Sequence, residues 1–191
     1  KTLKIDFHQF KDSVYFEKHE VVKNDGTIYK VFTPYKNKWL EIFEAAGATP
    51  ADYDVDLKKI RKWNNKDSIL DVDYHKKMGF TPDPALLTGG SKLALKRLKK
   101  FEDHISKYAD QRNYPAIDGT SNLSVYIRHG NLSIRDMIRA AKNHRGDGAS
   151  TWLSELIWRD FYEMILETHP YIEKESFKRD YDKIKWPGKA E

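Results

Sequence analysis

The chain has 191 residues, a formal net charge of +5 and no cysteine. This length suits one domain, or one and a half domains, with a hydrophobic core, and five tryptophans with eleven tyrosines argue against disorder. The lack of cysteine excludes disulfides, thiolate zinc sites and a cysteine nucleophile and favours an intracellular, cytoplasmic protein, while the mild positive charge permits an anionic partner without requiring one.

Residues 1–35 are predicted to be extended. Leu3, Ile5 and Phe7 alternate with polar residues, and further short apolar segments lie on both sides of a turn at 24–26. These strands are too few to close a sheet, and the chain begins without Met. We therefore interpret this part as the end of a domain whose beginning precedes the sequence, and the whole chain as a piece of a longer protein.

A helix is predicted over Tyr35–Ala46, with Pro34 at its start and Gly47 at its end. Residues 48–90 follow, with little hydrophobic pattern and many Asp, Lys, Asn and Pro residues. We interpret them as a linker with short helical pieces that runs over a surface.

From Ser91 the chain is predicted to be helical to its end. Ser91 is expected to cap a helix whose apolar positions are Leu93, Leu95, Leu98 and Phe101. The other side of this helix is basic, and it either meets phosphate or is a solvated helix face. Its residues are Lys92, Lys96, Arg97, Lys99 and Lys100.

Two further helices are predicted before a central one. Ile105–Arg112 is expected to be helical, and the chain leaves the helix before Pro115. Ser133 is predicted to cap a helix over Ile134–Asn143. A flexible loop is then expected at 145–148.

The central helix is predicted over Thr151–His169. One of its sides combines aromatic residues with an acid and a base: Trp152, Glu155, Trp158, Arg159 and Tyr162. The other side is apolar: Leu153, Ile157, Phe161 and Met164. One interpretation is a helix that lines a pocket for a flat ligand with polar edges. The other is that the tryptophans belong to the core and that Glu155 and Arg159 form an ordinary ion pair between positions i and i+4.

A phosphate-binding segment is the second candidate. Residues 119–124, GTSNLS, place a glycine and three hydroxyl side chains where a loop meets a helix. Free N–H groups and the positive end of a helix dipole suit phosphate oxygens, although the same residues also form a plain Ser/Thr N-cap.

Upstream, Tyr108 and Arg112 lie one helical turn apart. They form either a stacked pair that faces phosphate or an edge-of-core tyrosine beside a solvated arginine.

Other chemistries lack a signal in the sequence. It contains no G-x-G-x-x-G, Walker or H-E-x-x-H motif. Its seven histidines have no ligand spacing, so we expect no metal. No apolar run approaches the roughly 18 residues of a membrane span, so we expect no membrane partner.

Several segments together resemble the photolyase/cryptochrome flavoprotein family. Val31–Tyr35 is similar to the family's junction between its nucleotide-fold and helical domains, and Tyr108–Ser124 resembles its flavin-phosphate segment. The run TWLSELIWRDFY resembles its helix facing flavin and DNA, and Asp182–Trp186 resembles a tryptophan-bearing segment after that helix. The resemblance covers residues 1–47 and 88–187, and the closest type is the class I cyclobutane-pyrimidine-dimer photolyases.

The resemblance implies a mainly α fold with three parts. Residues 1–35 would be the end of an N-terminal α/β domain of the antenna type, and residues 36–87 an interdomain linker with short helices. Residues 88–191 would be the first part of a helical FAD-binding domain whose remainder follows the sequence. The antenna chromophore is unknown, because its site would precede the sequence.

The resemblance also implies roles for individual residues. The expected contacts to FAD are Tyr108, Thr120, Ser121, Leu123, Ser124, Trp152 and Arg159. The expected contacts to UV-damaged DNA are Arg112, Glu155, Trp158, Arg159 and Tyr162. Glu155 would hydrogen-bond the edge of the damaged bases and Trp158 would stack on the flipped-out dimer, which makes them the catalytic pair. Trp186 would be an outer member of a tryptophan electron-transfer chain, or would simply hold the C-terminal end in place.

The implied activity of the intact protein is light-dependent DNA repair, in which reduced FAD passes an electron to a cyclobutane pyrimidine dimer, the ring splits and the electron returns. The isolated chain is expected to be inactive, because part of the flavin pocket is missing. Two alternatives stay open: a cryptochrome-like blue-light photoreceptor and, for the chain alone, a cofactor-free DNA-binding module. Glu155 together with Trp158 favours repair, since a sensor has no need of a dimer pocket.

Overall fold

A computed structural model describes residues 6, 11, 13–50, 56–59, 74–81, 89–185 and 187–188. Within these residues the protein is mainly helical, which confirms the predicted fold class. The α-helices are α1 (Phe32–Ala45), α2 (Tyr74–Lys77), α3 (Ser91–Glu102), α4 (Tyr108–Gln111), α5 (Ser124–Arg128), α6 (Ile134–Asn143) and α7 (Asp147–Thr168). Single 3-10 turns lie at Leu57–Lys59, Ile105–Lys107, Pro170–Glu173 and Arg179–Lys183. The predicted extended positions Leu3, Ile5 and Phe7 and the candidate Trp186 lie outside the described residues.

Helix α7 forms the centre of the fold. It has 22 residues and packs against α1, α4, α6 and the turn Ile105–Lys107. Its buried side chains cover more than one side of the helix: Trp152, Leu153, Leu156, Ile157, Asp160, Phe161, Met164 and Ile165. Such a wide apolar surface is typical of a helix in the middle of a core. None of the helices in the described ranges combines the length and the hydropathy needed to cross a membrane.

The start of α7 differs from the prediction. The sequence predicts a loop at 145–148, but the helix already includes Asp147 and Gly148. A Cβ at Gly148 would lie 2.0 Å from the carbonyl oxygen of Ile105 and 2.6 Å from that of Ser106. Glycine is therefore required here for the close packing of α7 on the turn Ile105–Lys107, not for the flexibility of a loop.

The starts of α1 and α6 follow from local signals. Helix α1 begins at Phe32 instead of Tyr35, which leaves Pro34 in its first turn, where the missing N–H costs no helical hydrogen bond. Helix α6 begins where the sequence predicts. The Ser133 hydroxyl oxygen accepts a hydrogen bond from the backbone N–H of Arg135 at 3.2 Å, which confirms the predicted cap.

Helix α3 has a different cap and a different buried side from those predicted. It begins at Ser91 itself, so the N-cap residue is Gly90. Leu93 and Leu95 are 40% and 51% exposed, although both were expected to be core positions. The buried side follows the spacing i, i+4, i+7 and consists of Ala94, Leu98 and Phe101.

Residues 13–31 pack on the helices with little regular structure. Their described pairing is one antiparallel bridge, Val22–Ile28, around the turn at 24–26. Phe16 and Val21 are buried in the same core as Trp39. The apolar residues that predict strands in this part therefore pack against helices, and the domain boundaries stay a prediction.

Candidate functional site on helix α7

An ion pair joins α7 to the end of α4. The Nη1 atom of Arg112 donates to the Oε1 atom of Glu155 at 2.5 Å, and the Arg112 guanidinium lies 5.5 Å from the centre of the Tyr108 ring. The hydrogen bond to Glu155 raises the pKa of the Arg112 guanidinium. About a third of each of the two side chains is exposed (33% and 34%), so this pair stays accessible to a ligand. Glu155 thus pairs with Arg112 rather than with Arg159.

Trp158 belongs to an aromatic stack at the surface. Its ring lies 3.6 Å from the ring of Phe32 at an angle of 7°, and 5.3 Å from the ring of Tyr162 at 20°. Tyr162 is 61% exposed, whereas Trp158 is half-buried. Glu155, Trp158 and Tyr162 follow one another at helical spacing along α7, so the acid and the stack share one side of the helix.

Three of the predicted cofactor residues lie in the core. Trp152 is 3% exposed, and the centre of its ring lies 4.8 Å from that of the Phe101 ring. The Phe101 ring also lies 5.6 Å from the ring of Tyr108. Burial raises the pKa of the Tyr108 phenol. Leu123 is 1% exposed. These three side chains belong to the hydrophobic core of the described chain, and their predicted contact with FAD stays a prediction.

Ser124 and Arg159 line one open cavity of about 650 Å³, which we call the Ser124 pocket. Helix α5 begins at Ser124, and α7 carries Arg159. The lining includes Ser13, Ser124, Arg128, His129, Arg159 and Glu163. Guanidinium and hydroxyl groups are the usual protein donors to phosphate oxygens. This donor set fits the pyrophosphate of a dinucleotide such as FAD.

A second cavity, of about 450 Å³, is lined by Thr120 together with Arg112 and Asn122. The segment that carries Thr120 lies close against α4, because a Cβ at Gly119 would lie 2.5 Å from the Cβ of Gln111. On the other side of this segment, the carbonyl oxygen of Ser121 accepts a hydrogen bond from Nε of Arg97 at 3.3 Å. The structure thus places two of the three predicted hydroxyl residues at separate cavities, Thr120 at one and Ser124 at the other.

A buried acid on α7 was not among the predicted site residues. Asp160 is 1% exposed, and its Oδ2 atom accepts hydrogen bonds from Nε1 of Trp39 at 3.1 Å and from the N–H groups of Tyr15 and Phe16, both at 3.2 Å. Burial raises the pKa of Asp160 to about 6, while these donors and the charge of Arg159 lower it. The signal in the sequence was an acid inside the apolar side of a helix, which indicates a buried acceptor.

The fold and the site together define a helical protein with cationic and aromatic groups around open pockets. Its residues 1–53 match the DNA photolyase family. The chain is 35% identical over 190 residues to the deoxyribodipyrimidine photo-lyase of Alkalihalophilus pseudofirmus, covering 95% of this chain and 38% of that protein. It is 35% identical over 184 residues to that of Neurospora crassa (84% and 29%) and 31% identical over 185 residues to that of Escherichia coli (93% and 38%).

The chain is therefore similar to DNA photolyases along almost its whole length, as its motifs predict. It spans 38% or less of the length of these three relatives. The identities extend over almost the whole chain, so they include the parts that carry α4, α5 and α7 as well as the part that the family match covers.

Proposed function

We propose that the intact protein is a DNA repair enzyme that uses FAD and blue light to split cyclobutane pyrimidine dimers. The observation that supports this most is the arrangement on one side of α7. The accessible Glu155 carboxylate is held by Arg112 and is followed at helical spacing by the stack of Trp158 and Tyr162. An acceptor beside an aromatic surface is what recognition of an extruded base requires. The three relatives share the name deoxyribodipyrimidine photo-lyase.

The Ser124 pocket would hold the pyrophosphate of FAD. Ser124 would donate its hydroxyl hydrogen, and Arg128 and Arg159 would supply positive charge. When bound, reduced FAD supplies light-driven one-electron transfer, and the protein supplies placement and electrostatics. Residues 88–191 would then be the first part of the cofactor domain, preceded by an interdomain linker over 36–87.

The residues on α7 would place the damaged strand. Glu155 would accept hydrogen bonds from the edge of the damaged bases, and its bond to Arg112 would keep the carboxylate in position. Trp158 and Tyr162 would provide the surface against which the dimer packs and would exclude water from it. Arg112 would also contact a DNA phosphate, because its guanidinium has donors that Glu155 does not use.

Replacing Glu155 with alanine is expected to weaken binding of dimer-containing DNA roughly tenfold to hundredfold. This range corresponds to the loss of about 1.5–3 kcal/mol, the usual contribution of a hydrogen bond to a charged group. Affinity for undamaged DNA should not fall, because the change releases the cation of Arg112. Dissociation constants for a matched pair of oligonucleotides, with and without one dimer, measure both effects. Glu41→Ala removes an exposed acid from α1 and is the control. An unchanged ratio of the two constants would contradict the role of Glu155.

Replacing Trp158 with alanine is expected to cost about 1–3 kcal/mol of binding to the damaged strand through the loss of base stacking. Trp158→Phe keeps an aromatic ring beside Phe32 and should retain most of the affinity. The same titrations measure both variants. Equal dissociation constants for wild type and Trp158→Ala would show that the dimer does not stack on this side chain.

The proposed function itself is tested by blue-light repair of a dimer-containing oligonucleotide by the intact protein, with a dark reaction as control. Light-dependent loss of the dimer is the expected result. Bound flavin without repair would contradict the proposal and favour a photoreceptor. DNA binding with a steep salt dependence, no bound flavin and no preference for the dimer would instead favour a cofactor-free DNA-binding module.

A further inference from the structure

Asp160 connects α7 to a segment near the start of the described chain. Its carboxylate accepts hydrogen bonds from the backbone N–H groups of Tyr15 and Phe16, at 3.2–3.3 Å and 3.2 Å. The third donor, Nε1 of Trp39, lies at 3.1 Å. The acid is 1% exposed, so these bonds are shielded from water, and a buried acceptor with three donors holds the attached backbone firmly.

The preceding residue of α7 contacts the same segment. Nη1 of Arg159 donates a hydrogen bond to the backbone carbonyl oxygen of Ser13. Both residues line the Ser124 pocket. The position of the Arg159 guanidinium in this pocket therefore depends on the position of the Ser13 carbonyl, which lies two residues before the backbone that Asp160 binds.

We propose that Asp160 is a positioning residue for Arg159: by binding the backbone of residues 15–16, it fixes the Ser13 carbonyl, which holds the Arg159 guanidinium in the Ser124 pocket for the cofactor's pyrophosphate. The inference rests on the proposed function, because it takes the Ser124 pocket as the place where FAD phosphates bind. It assigns to a buried acid a part in cofactor binding without contact to the cofactor.

The charge of Asp160 and its positioning role predict opposite effects of Asp160→Asn on FAD binding. Asp160 is ionised at neutral pH, since burial raises its pKa only to about 6. Removing a negative charge beside a pocket for an anion should strengthen binding of that anion. Asparagine at this position would have the same shape, but its oxygen is a neutral and weaker acceptor and its NH₂ group would face the N–H of Tyr15. Loss of positioning should therefore weaken FAD binding although the local charge becomes more favourable.

The experiment measures the dissociation constant of FAD for the intact apoprotein at neutral pH in a cycle of four proteins: wild type, Arg159→Ala, Asp160→Asn and the double variant. Asp160→Asn is expected to raise the dissociation constant about tenfold, the worth of one hydrogen bond to a charged group. In the Arg159→Ala background the same change should not weaken FAD binding further, because Asp160 acts through Arg159. Circular dichroism verifies that each variant is folded.

Two further variants make the result specific. Glu163→Gln removes a negative charge that lines the same pocket, and it should strengthen FAD binding, in contrast to Asp160→Asn. Val14→Pro constrains the backbone between Ser13 and Tyr15 without changing Asp160, so it should weaken FAD binding as Asp160→Asn does, and it serves if Asp160→Asn does not fold.

The possible failures have different meanings. Additive effects of Arg159→Ala and Asp160→Asn, or tighter binding by Asp160→Asn and Glu163→Gln alike, would overturn the positioning role and leave FAD binding intact. A wild-type protein that binds no FAD would overturn the proposed function and the inference with it.

Discussion

Replacing Gly148 with alanine is expected to lower the free energy of unfolding by about 3 kcal/mol. The added Cβ would lie 2.0 Å from the carbonyl oxygen of Ile105 and 2.6 Å from that of Ser106. Both obstacles are backbone atoms, which cannot turn aside as the end of a flexible side chain can. Helix propensity acts in the opposite direction, because alanine is favoured over glycine inside a helix by about 1 kcal/mol. A measured loss of stability therefore means that the clash with the backbone at 105–106 outweighs the gain in helix propensity.

Urea unfolding followed by circular dichroism measures this change. Gly89→Ala is the control, because the nearest atom to its added Cβ would be Oδ1 of Asn131 at 3.9 Å. We also expect weaker binding of damaged DNA by Gly148→Ala, since a shift of α7 away from the turn would separate Glu155 from Arg112. An unfolding midpoint at or above that of the wild type would rule out the packing described for Gly148.

Local signals in the sequence predict much of the fold. Ser133 predicts the start of α6 because an N-cap bond reaches a neighbouring N–H group, so both partners are visible in a short stretch. The periodicity from Thr151 onward predicts α7, because this pattern too is visible in a short stretch of the sequence. The start of α7 was predicted less well, because Gly148 resembles a loop residue unless its packing partners at 105–106 are known.

The partners within the candidate site could not be predicted from local patterns. Glu155 pairs with Arg112, which lies 43 positions earlier, whereas helical spacing suggests a pair with Arg159. The donors to Asp160 lie between 121 and 145 positions away. An acid on an apolar helix side indicates that such donors exist, but only the fold determines which they are. The resemblance placed α7 residues in a site without showing these contacts.

Asp160 is expected to make the protein less stable as the pH rises from about 4 to about 6. Burial raises its pKa to about 6 in the folded protein, above the value of about 3.9 for an unfolded chain. Between these two values the folded state binds the proton more tightly, so the free energy of unfolding falls as the pH increases. Two pKa units correspond to about 3 kcal/mol, a contribution that is fully present below the unfolded pKa and lost above the folded one.

Urea unfolding of the wild type and Asp160→Asn across this pH range isolates the contribution. Asparagine does not titrate, and the other ionisable groups contribute equally to both proteins, so they cancel in the difference. The wild type should lose about 3 kcal/mol relative to the variant as the pH rises. The same pH dependence in both proteins would mean that Asp160 is ionised throughout, and hence that its N–H donors and the charge of Arg159 outweigh the cost of burial.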